Sequence, residues 1–575
     1  MIAPNRHFFW IAALALAFTY SGMRHNEAAY DDPTHIVGNP GIRSLSNLPR
    51  LFTGDYIEVS RDRKAYRPAA VALRILAYPI LQDNINGYRW INLTLHWLNA
   101  CLLFLLCRRY FFPDPSPVPF WAGLIFALHP VGSECILCAT FLYAPLALLF
   151  CQAAFLAYLG AREAVGRQRL AWGACSWLAF TLALLSKETA ALFPLWVAAY
   201  EGLAPRTASR PGWWRKPLFA AYFAALLPYL GIRLWLFGEY AQAPYIGGSF
   251  YSNFLTSLKT IPLYTRLLFW PHPLSINYRI TAASSWREPE VLAALAIVCA
   301  LALWAANRWR TDKVSLFWLF GLLWPLGVVM NWVPFFDEVL LANERRLYFS
   351  LAAFAVLLAS GLSRLASLRP TFGGRLGTGV AALLLLCSSV ITIRRVPDWR
   401  SAVTLHEQAV GLNARNYKAL NDLGWAYHQT GQLARAESTY RSALAVFPGI
   451  VTCIRLAAVY EDRGKIPEAL ALLRAALGQA DSLSIRHYRM REQTGRLWFR
   501  LGNIRWRSGD FPEAAAAYAQ AVEMDPSLDA AYHNLGLAYA ASGRTGEAAS
   551  ALRKALALNP GNDKASALLR ELERK

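Results

Sequence analysis

The chain has 575 residues, of which 55% are hydrophobic, and a formal net charge of +21. Hydrophobic residues at this level, gathered into long runs, exclude a soluble protein and indicate one that crosses a membrane many times. The positive charge is spread over short loops between the apolar runs, which is typical of cytoplasmic loops and requires no nucleic-acid partner.

Apolar runs of spanning length follow one another from the N-terminus to about residue 393. The first run follows Arg6 and is expected to be an uncleaved signal-anchor, because further spans come after it. Counting by length predicts about eleven spans, at 7–23, 88–107, 118–136, 139–160, 169–186, 188–204, 217–237, 289–306, 314–333, 347–364 and 376–393. Two other apolar stretches, 68–82 and 254–271, are expected to lie at the membrane interface, because prolines interrupt them.

The charges of the loops predict which side of the membrane each loop faces. With the N-terminus inside, the predicted cytoplasmic loops are basic, as the positive-inside bias requires. An odd number of spans then places the C-terminal part outside, together with two long outer loops at 24–87 and 238–288. Arg394 and Arg395 would also lie just outside the last span, against this trend.

The sequence after residue 416 repeats with a period of 33 or 34 residues. A leucine and a small residue open each unit, and a glycine follows seven residues later, at Gly431, Gly464, Gly509 and Gly543. This pattern matches the tetratricopeptide repeat, a helix–turn–helix unit of ~34 residues. We expect about four units at 417–575, with an insertion near 478–494, stacked into an α-solenoid with a protein-binding groove. The remaining chain divides into a membrane domain at 1–395 and a linker at 396–416.

Unusual polar residues fall on one side of the predicted membrane, the side that also holds the repeats. They are Tyr30, Asp31, Asp32, Arg67, His129, Glu134, Lys187, Glu188, Glu344, Arg345 and Arg346. Because isolated charges are costly in a bilayer, residues of both signs collected on one face predict a shared cavity. Each motif also has a structural interpretation, as a turn, an ion pair or an interfacial anchor of a helix.

The residue types in this predicted cavity suit group transfer. A carboxylate takes the proton from an acceptor hydroxyl, while Arg and Lys bind a phosphate and stabilise a leaving group. A transferase on the outer side lacks soluble nucleotide sugars, so its donor would be carried by a lipid, typically a polyprenyl phosphate. Whether a divalent metal takes part stays open, since the adjacent Asp31 and Asp32 serve equally well as base or as ligands.

The order of these motifs resembles a known family, the transmembrane and tetratricopeptide repeat-containing O-mannosyltransferases and their bacterial relatives. These are similar to protein O-mannosyltransferases of the C-type glycosyltransferase superfamily. The resemblance is carried, before the repeats, by Tyr30-Asp31-Asp32, Tyr66-Arg67-Pro68, Asn92–His96–Asn99, Leu128-His129-Pro130 with Glu134, Ser186-Lys187-Glu188-Thr189 and Glu344-Arg345-Arg346-Leu347-Tyr348.

The resemblance implies an all-α protein, in which a polytopic transmembrane helical bundle of the C-type glycosyltransferase type is followed by a tetratricopeptide-repeat α-solenoid. It also implies an inverting transferase whose base is an acidic residue of the first outer loop, here Asp31 or Asp32. The other polar residues of the predicted cavity would line the donor or acceptor site. One stretch departs from the family, which usually carries a Gly-Arg pair and an acidic residue where this chain has Phe141-Leu142-Tyr143-Ala144.

The sequence therefore predicts a membrane glycosyltransferase that moves a sugar from a polyprenyl phosphate to Ser or Thr hydroxyls of an exported protein held by the repeats. A bacterial inner membrane is the expected location, with the active face and the repeats in the periplasm. Two alternatives stay open: transfer to a lipid or glycan, and a non-catalytic, membrane-anchored repeat scaffold.

Overall fold

Helices form all the regular secondary structure of the described chain, apart from one isolated β-bridge between Tyr278 and Ala342. The structure is a computed structural model that describes residues 7–61, 65–203, 215–238, 245–331, 341–367, 373–480, 488–559 and 561–574. The chain forms two compact units, Met1–Gln408 and Ala409–Lys575, which we call the membrane unit and the repeat unit. Their boundary falls within the segment 396–416, which is itself partly helical.

The membrane unit is a bundle of α-helices, the last of which, α17, continues past the boundary of the unit at Gln408. In chain order these helices are α1 (Phe8–Thr19), α2 (Tyr56–Ser60), α3 (Pro68–Leu81), α4 (Ile85–Leu106), α5 (Val118–Leu128), α6 (Ser133–Leu137), α7 (Tyr143–Glu163), α8 (Gly166–Ser186), α9 (Phe193–Leu203), α10 (Arg215–Phe237), α11 (Phe250–Leu258), α12 (Thr260–Phe269), α13 (Pro289–Arg308), α14 (Lys313–Val329), α15 (Tyr348–Ser367), α16 (Gly373–Arg395) and α17 (Ala402–Leu412).

Seven helices among the described residues are long and apolar enough to cross a membrane, and a bent pair makes eight if it is one span. These are Ile85–Phe111, Ala139–Glu163, Gly166–Ser186, Pro217–Phe237, Pro289–Arg308, Glu344–Ser367 and Gly377–Trp399, with the bent pair Val118–Leu128 and Pro130–Leu137. The all-α polytopic architecture predicted from the sequence is confirmed.

Three of the predicted spans are shorter in the structure than their apolar runs. The runs at 7–23 and 314–333 contain the shorter apolar helices Phe8–Thr19 and Lys313–Gly327. The run at 188–204 begins with a 3-10 turn, Glu188–Leu192, before α9 starts. Pro194 is the second residue of α9, a position where its missing N–H leaves no helical hydrogen bond unmade, so the regular helix starts only there.

Burial distinguishes the centre of the bundle from its edge. In an 18-residue apolar stretch of the span Ala139–Glu163, 78% of the residues are buried, against 11% in the corresponding stretches of Pro217–Phe237 and Pro289–Arg308. A small residue at Gly123 of α5 lets the Phe8 ring of α1 pack against it, since an added Cβ would lie 2.4 Å from that ring. The central helices α4 and α7 therefore form the frame on which the polar residues are placed.

The repeat unit consists of paired helices. They are α18 (Tyr417–Gln429), α19 (Leu433–Val446), α20 (Ile450–Asp462), α21 (Ile466–Ala480), α22 (Tyr488–Arg507), α23 (Phe511–Met524), α24 (Asp529–Ala541), α25 (Thr545–Leu558) and the terminal α26 (Asp563–Arg574). The four turn glycines that the repeat pattern predicts all have φ between 71° and 78°, the left-handed region that only glycine enters without strain. Part of the predicted insertion, residues 481–487, lies outside the described residues, and α22 is longer than the other first helices, with 20 residues against 13 in α20.

Candidate functional site

A buried arginine in α4 holds the start of the first outer loop in place. The Arg89 guanidinium donates to the backbone carbonyl oxygens of Asn26 and Glu27, each at 2.6 Å, and to that of Leu137 at 2.7 Å. Its Nη2 also lies 3.6 Å from the Asp32 carboxylate, and both side chains are fully buried. Arg89 thereby ties the segment that carries the predicted base to the turn after the bent helix pair.

The two adjacent aspartates of this segment have different surroundings. Asp32 Oδ1 accepts hydrogen bonds from the backbone N–H of Thr140 at 2.9 Å and from its hydroxyl at 2.8 Å, inside the protein. Asp31 is only partly buried, and its charge interacts with Arg345 and Tyr143. Tyr30 precedes the pair with a φ of 59°, an uncommon conformation for a residue with a side chain.

The bent pair α5 and α6 exposes backbone carbonyl groups that a regular helix would satisfy, and polar side chains of α4 meet them. Asn92 Nδ2 donates to the carbonyl oxygens of Cys135 at 3.0 Å and of Cys138 at 2.9 Å. His96 contacts the carbonyl oxygen of Ala127 through Nε2 at 2.9 Å. These hydrogen bonds stabilise the break between α5 and α6, which lines the inside of the bundle.

Two pairs of opposite charge lie on the elements that the break brings together. The Glu134 carboxylate accepts from the backbone N–H of Arg345 at 2.6 Å and also pairs with the Arg345 guanidinium. Arg67 donates to both oxygens of Glu188, at 3.0 and 2.8 Å, in the bidentate geometry that suits arginine. Each pair joins residues far apart in the chain, so the predicted motifs do meet.

Two aromatic rings occupy the stretch in which the chain departs from the family pattern. The Tyr143 ring lies 4.1 Å from the Arg67 guanidinium and 5.5 Å from Lys187 Nζ. The Phe141 ring lies 4.4 Å from the Arg345 guanidinium. Each ring faces a cation, and this cation–π contact lowers the free-energy cost of burying the cation. The contact is made where the family pattern would place an acidic residue.

Lys187 is the cation that the site leaves without an anion. It is 5% exposed, and in the described part of the chain no hydrogen bond or ion pair engages its ammonium group; its contacts are the rings of Tyr143 and Phe349. Burial lowers the pKa of Lys187 to about 8, although the Glu188 carboxylate opposes that shift. An unpaired ammonium group beside Arg67 and Arg345 is suited to receive an anionic group from outside.

Other predicted residues lie at the edge of this cluster. Arg346 donates to the carbonyl oxygen of Leu341 at 2.8 Å and interacts electrostatically with Glu188. His129 contacts the carbonyl oxygen of Leu268 at 3.0 Å and accepts from the N–H of Val131, so its described contacts fix the helix break.

Glu344 turns away from the cluster towards Arg395. Glu344 accepts from the Tyr278 hydroxyl at 3.0 Å and lies 3.5 Å from Arg395, which in turn pairs with Asp398 at 3.0 Å. The side chain of Arg395 is only 2% exposed. The exception that Arg395 makes to the loop-charge trend thus has a physical cause, because this arginine is paired inside the protein rather than placed at a membrane surface.

The sequence did not predict that Arg89, Tyr143 and Arg395 belong to this polar network. Arg89 carried a usable signal, since an ionisable residue inside a predicted span indicates a functional or structural polar network by default. No group of three or more His, Cys, Asp or Glu side chains in the described residues is arranged to hold a metal ion.

Comparison with known proteins identifies the repeats and relates most of the chain to named transferases. A tetratricopeptide-repeat model matches residues 395–449 and 499–563, and a second model of the same repeat matches residues 450–475. Protein O-mannosyl-transferase TMTC3 of Homo sapiens is 22% identical over 580 aligned residues, covering 93% of this chain and 62% of the human protein. Protein O-mannosyl-transferase F38B6.6 of Caenorhabditis elegans is 24% identical over 73% of this chain and 60% of its own length.

The chain is homologous to these transferases over most of its length. It spans about 62% of the length of the first of them. Among solved structures, that of MamA is 20% identical with a TM-score of 0.24, covering 30% of this chain and 88% of MamA. YrrB, a tetratricopeptide-repeat protein with a peptide-binding site, is 22% identical with a TM-score of 0.24, covering 32% of this chain and 87% of YrrB.

Proposed function

We propose that this chain is a membrane glycosyltransferase that moves a sugar from a polyprenyl-phosphate donor to Ser or Thr hydroxyls of exported proteins. The observation that carries the proposal is the buried cluster in which a partly exposed carboxylate, Asp31, lies near several cations, one of them unpaired. The homology to proteins named protein O-mannosyl-transferases supports the same reaction class.

Asp31 is the proposed general base. A base must reach the acceptor hydroxyl, and Asp31 is the one of the two aspartates with an exposed part. Asp32 accepts two hydrogen bonds from Thr140 and contacts Arg89, so its role is to position the loop.

Lys187, Arg67 and Arg345 are the proposed phosphate-binding groups. The acceptor oxygen attacks the anomeric carbon as Asp31 takes its proton, and the bond between that carbon and the phosphate oxygen breaks. Polyprenyl phosphate leaves with the bonding electrons, and Lys187 stabilises the charge that develops on it. Since Arg67 and Arg345 already have carboxylate partners, Lys187 provides the charge that is free to respond.

The repeats are proposed to hold the acceptor protein near the cavity, which raises its effective concentration there. The cavity and the repeats would face the periplasm of a bacterium whose inner membrane holds the chain. This orientation rests on the basic loops predicted to lie inside the cell.

The test is a comparison of exported proteins by intact mass between wild-type cells, a deletion strain, and strains that carry Asp31→Asn or Asp55→Asn. Asp55 is the matched control, because it lies in the same outer loop, exposed and paired with Arg50. A hexose- or pentose-sized mass that disappears in the deletion and in Asp31→Asn, but not in Asp55→Asn, supports the proposal. Masses that are identical in all four strains contradict protein glycosylation; turnover of labelled polyprenyl-phosphate sugar in isolated membranes then decides between a lipid or glycan acceptor and a scaffold.

A further inference from the structure

A cleft with both polar and apolar lining residues opens at the end of the membrane unit opposite the site described above. It has a volume of about 370 Å³ and is lined mainly by Arg109, Tyr110, Gly160, Glu163, Gln168 and Trp172. Lys187 directly follows the last residue of α8, whereas Gln168 and Trp172 lie in the first two turns of that helix. The 21-residue length of α8 separates the cleft from the site by roughly 30 Å, about the thickness of a bilayer core.

A glycine shapes the wall of this cleft. A Cβ added at Gly160 would lie 3.0 Å from the Trp172 ring, so a larger residue at position 160 would crowd the indole. The lining of the cleft thus combines an aromatic ring packed close to α7 with the guanidinium of Arg109.

The cleft offers donors to an anion. Arg109 pairs with Glu163 at 2.8 Å and also interacts with the Tyr110 hydroxyl, and its side chain is 64% exposed, so the guanidinium is accessible from the solvent. The Gln168 side chain is exposed and lines the cleft, so its carboxamide is accessible to a ligand. Arg167 and Arg169 begin the same helix and add positive charge beside the cleft.

Apolar exposure beside these donors favours a lipid over a soluble anion. Trp172 is 44% exposed, and Leu170 and Leu178 of the same helix are 73% and 54% exposed. Tryptophan is enriched at the membrane–water interface, and leucines exposed next to it are suited to contact acyl chains. Basic clefts between transmembrane helices are suited to bind the headgroups of anionic lipids.

We propose that this cleft binds an anionic glycerophospholipid, with its phosphate on Arg109 and Gln168 and its acyl chains along the exposed face of α8. The site is distinct from the proposed catalytic cavity and does not depend on it. Its test therefore measures lipid binding rather than transfer.

The experiment is native mass spectrometry of the purified full chain titrated with phosphatidylglycerol or with phosphatidylcholine of the same acyl chains. Phosphatidylglycerol is expected to bind more tightly, and Arg109→Gln should weaken its affinity about tenfold, the loss expected for one charge-assisted hydrogen bond. Arg108→Gln is the matched control, because Arg108 neighbours Arg109 but pairs with Asp114 and does not line the cleft. It should leave the affinity unchanged.

A second variant tests the cleft without altering the ion pair between Arg109 and Glu163. Gln168→Glu places a negative charge in the cleft without changing Arg109 or Glu163, and it should also weaken phosphatidylglycerol binding. Equal affinities of wild type, Arg109→Gln and Gln168→Glu would overturn the proposal, as would equal binding of the two lipids. Displacement of phosphatidylglycerol by millimolar inorganic phosphate would show a soluble-anion site instead.

Discussion

The two neighbouring aspartates of one motif have different surroundings in the structure. Asp31 follows a left-handed residue, Tyr30, and is partly exposed, while Asp32 is buried against Thr140 and Arg89. A motif written as letters shows two equivalent carboxylates, and only the fold distinguishes them. We therefore expect a substitution of Asp31 to reduce activity and a substitution of Asp32 to reduce stability.

We expect Asp32→Asn to destabilise the membrane unit by about 3–5 kcal/mol, the range for removing one partner of a buried ion pair. The change leaves Arg89 buried without its carboxylate. The measurement is the thermal unfolding temperature of the detergent-solubilised full chain, with Asp31→Asn as the comparison that should unfold like wild type. A stable but inactive Asp32→Asn protein would instead make Asp32 the base.

The pKa of Lys187, lowered to about 8 by burial, predicts a pH dependence of donor use. Below pH 8 the ammonium group is charged and binds phosphate, and above it the neutral amine does not, so the donor KM should rise as the pH increases from 7 to 9. Of the titratable groups that act on Lys187, Glu188 and Cys135 favour its charged form, and Arg67 and Arg345 oppose it.

The matched variants for this prediction differ in charge alone. Lys187→Arg keeps its charge in this range, so its donor KM should stay flat, whereas Lys187→Gln should raise the donor KM roughly ten- to hundredfold already at pH 7. The measurement is the initial rate of transfer from labelled donor at several pH values. Identical pH profiles for wild type and Lys187→Arg would remove Lys187 from the phosphate site.

At the scale of single elements, the repeats follow the sequence closely because their pattern is local. Each small residue of a first helix faces its own second helix: a Cβ at Gly424 would lie 2.6 Å from the Tyr440 ring, and one at Gly502 would lie 2.7 Å from the Tyr518 ring. Contacts of this kind repeat at a fixed spacing, so a single sequence reveals them.

Gly502→Ala should destabilise the third repeat by about 1–3 kcal/mol, because the added methyl group forces the Tyr518 ring or the helix α23 to move. Gly546→Ala is the matched control, since no atom lies within 4 Å of a Cβ added there and alanine favours a helix. Hydrogen–deuterium exchange of the full chain should show faster exchange in α22 and α23 for the first variant only. Equal exchange in both variants would mean that the helices tolerate a wider spacing.

At the scale of the whole molecule, the sequence predicted which elements exist better than which residues meet. The apolar runs and the repeat period gave an all-α membrane protein with a repeat unit, since both signals depend on composition and spacing. The contact between Arg67 and Glu188 and the burial of Arg395 against Glu344 join distant segments, and no periodicity encodes them. The departure at Phe141 and Tyr143 became interpretable only when the cations beside their rings were known.

The repeat unit contains a cleft that should distinguish protein acceptors from short peptides. The cleft measures about 210 Å³, and within it Asn503 Oδ1 accepts from the Tyr518 hydroxyl at 2.8 Å and from Asn534 Nδ2 at 3.0 Å.

If the repeats hold the acceptor, Asn503→Ala should raise the KM for the full-length acceptor protein roughly three- to tenfold, as expected for one lost hydrogen bond. A short peptide that carries only the modified Ser or Thr should be used as before, because it reaches the membrane unit without the repeats. Gln520→Ala, a change at a partly exposed residue outside the cleft, serves as the control, and a parallel rise in KM for the short peptide would show that the cleft does not select the acceptor.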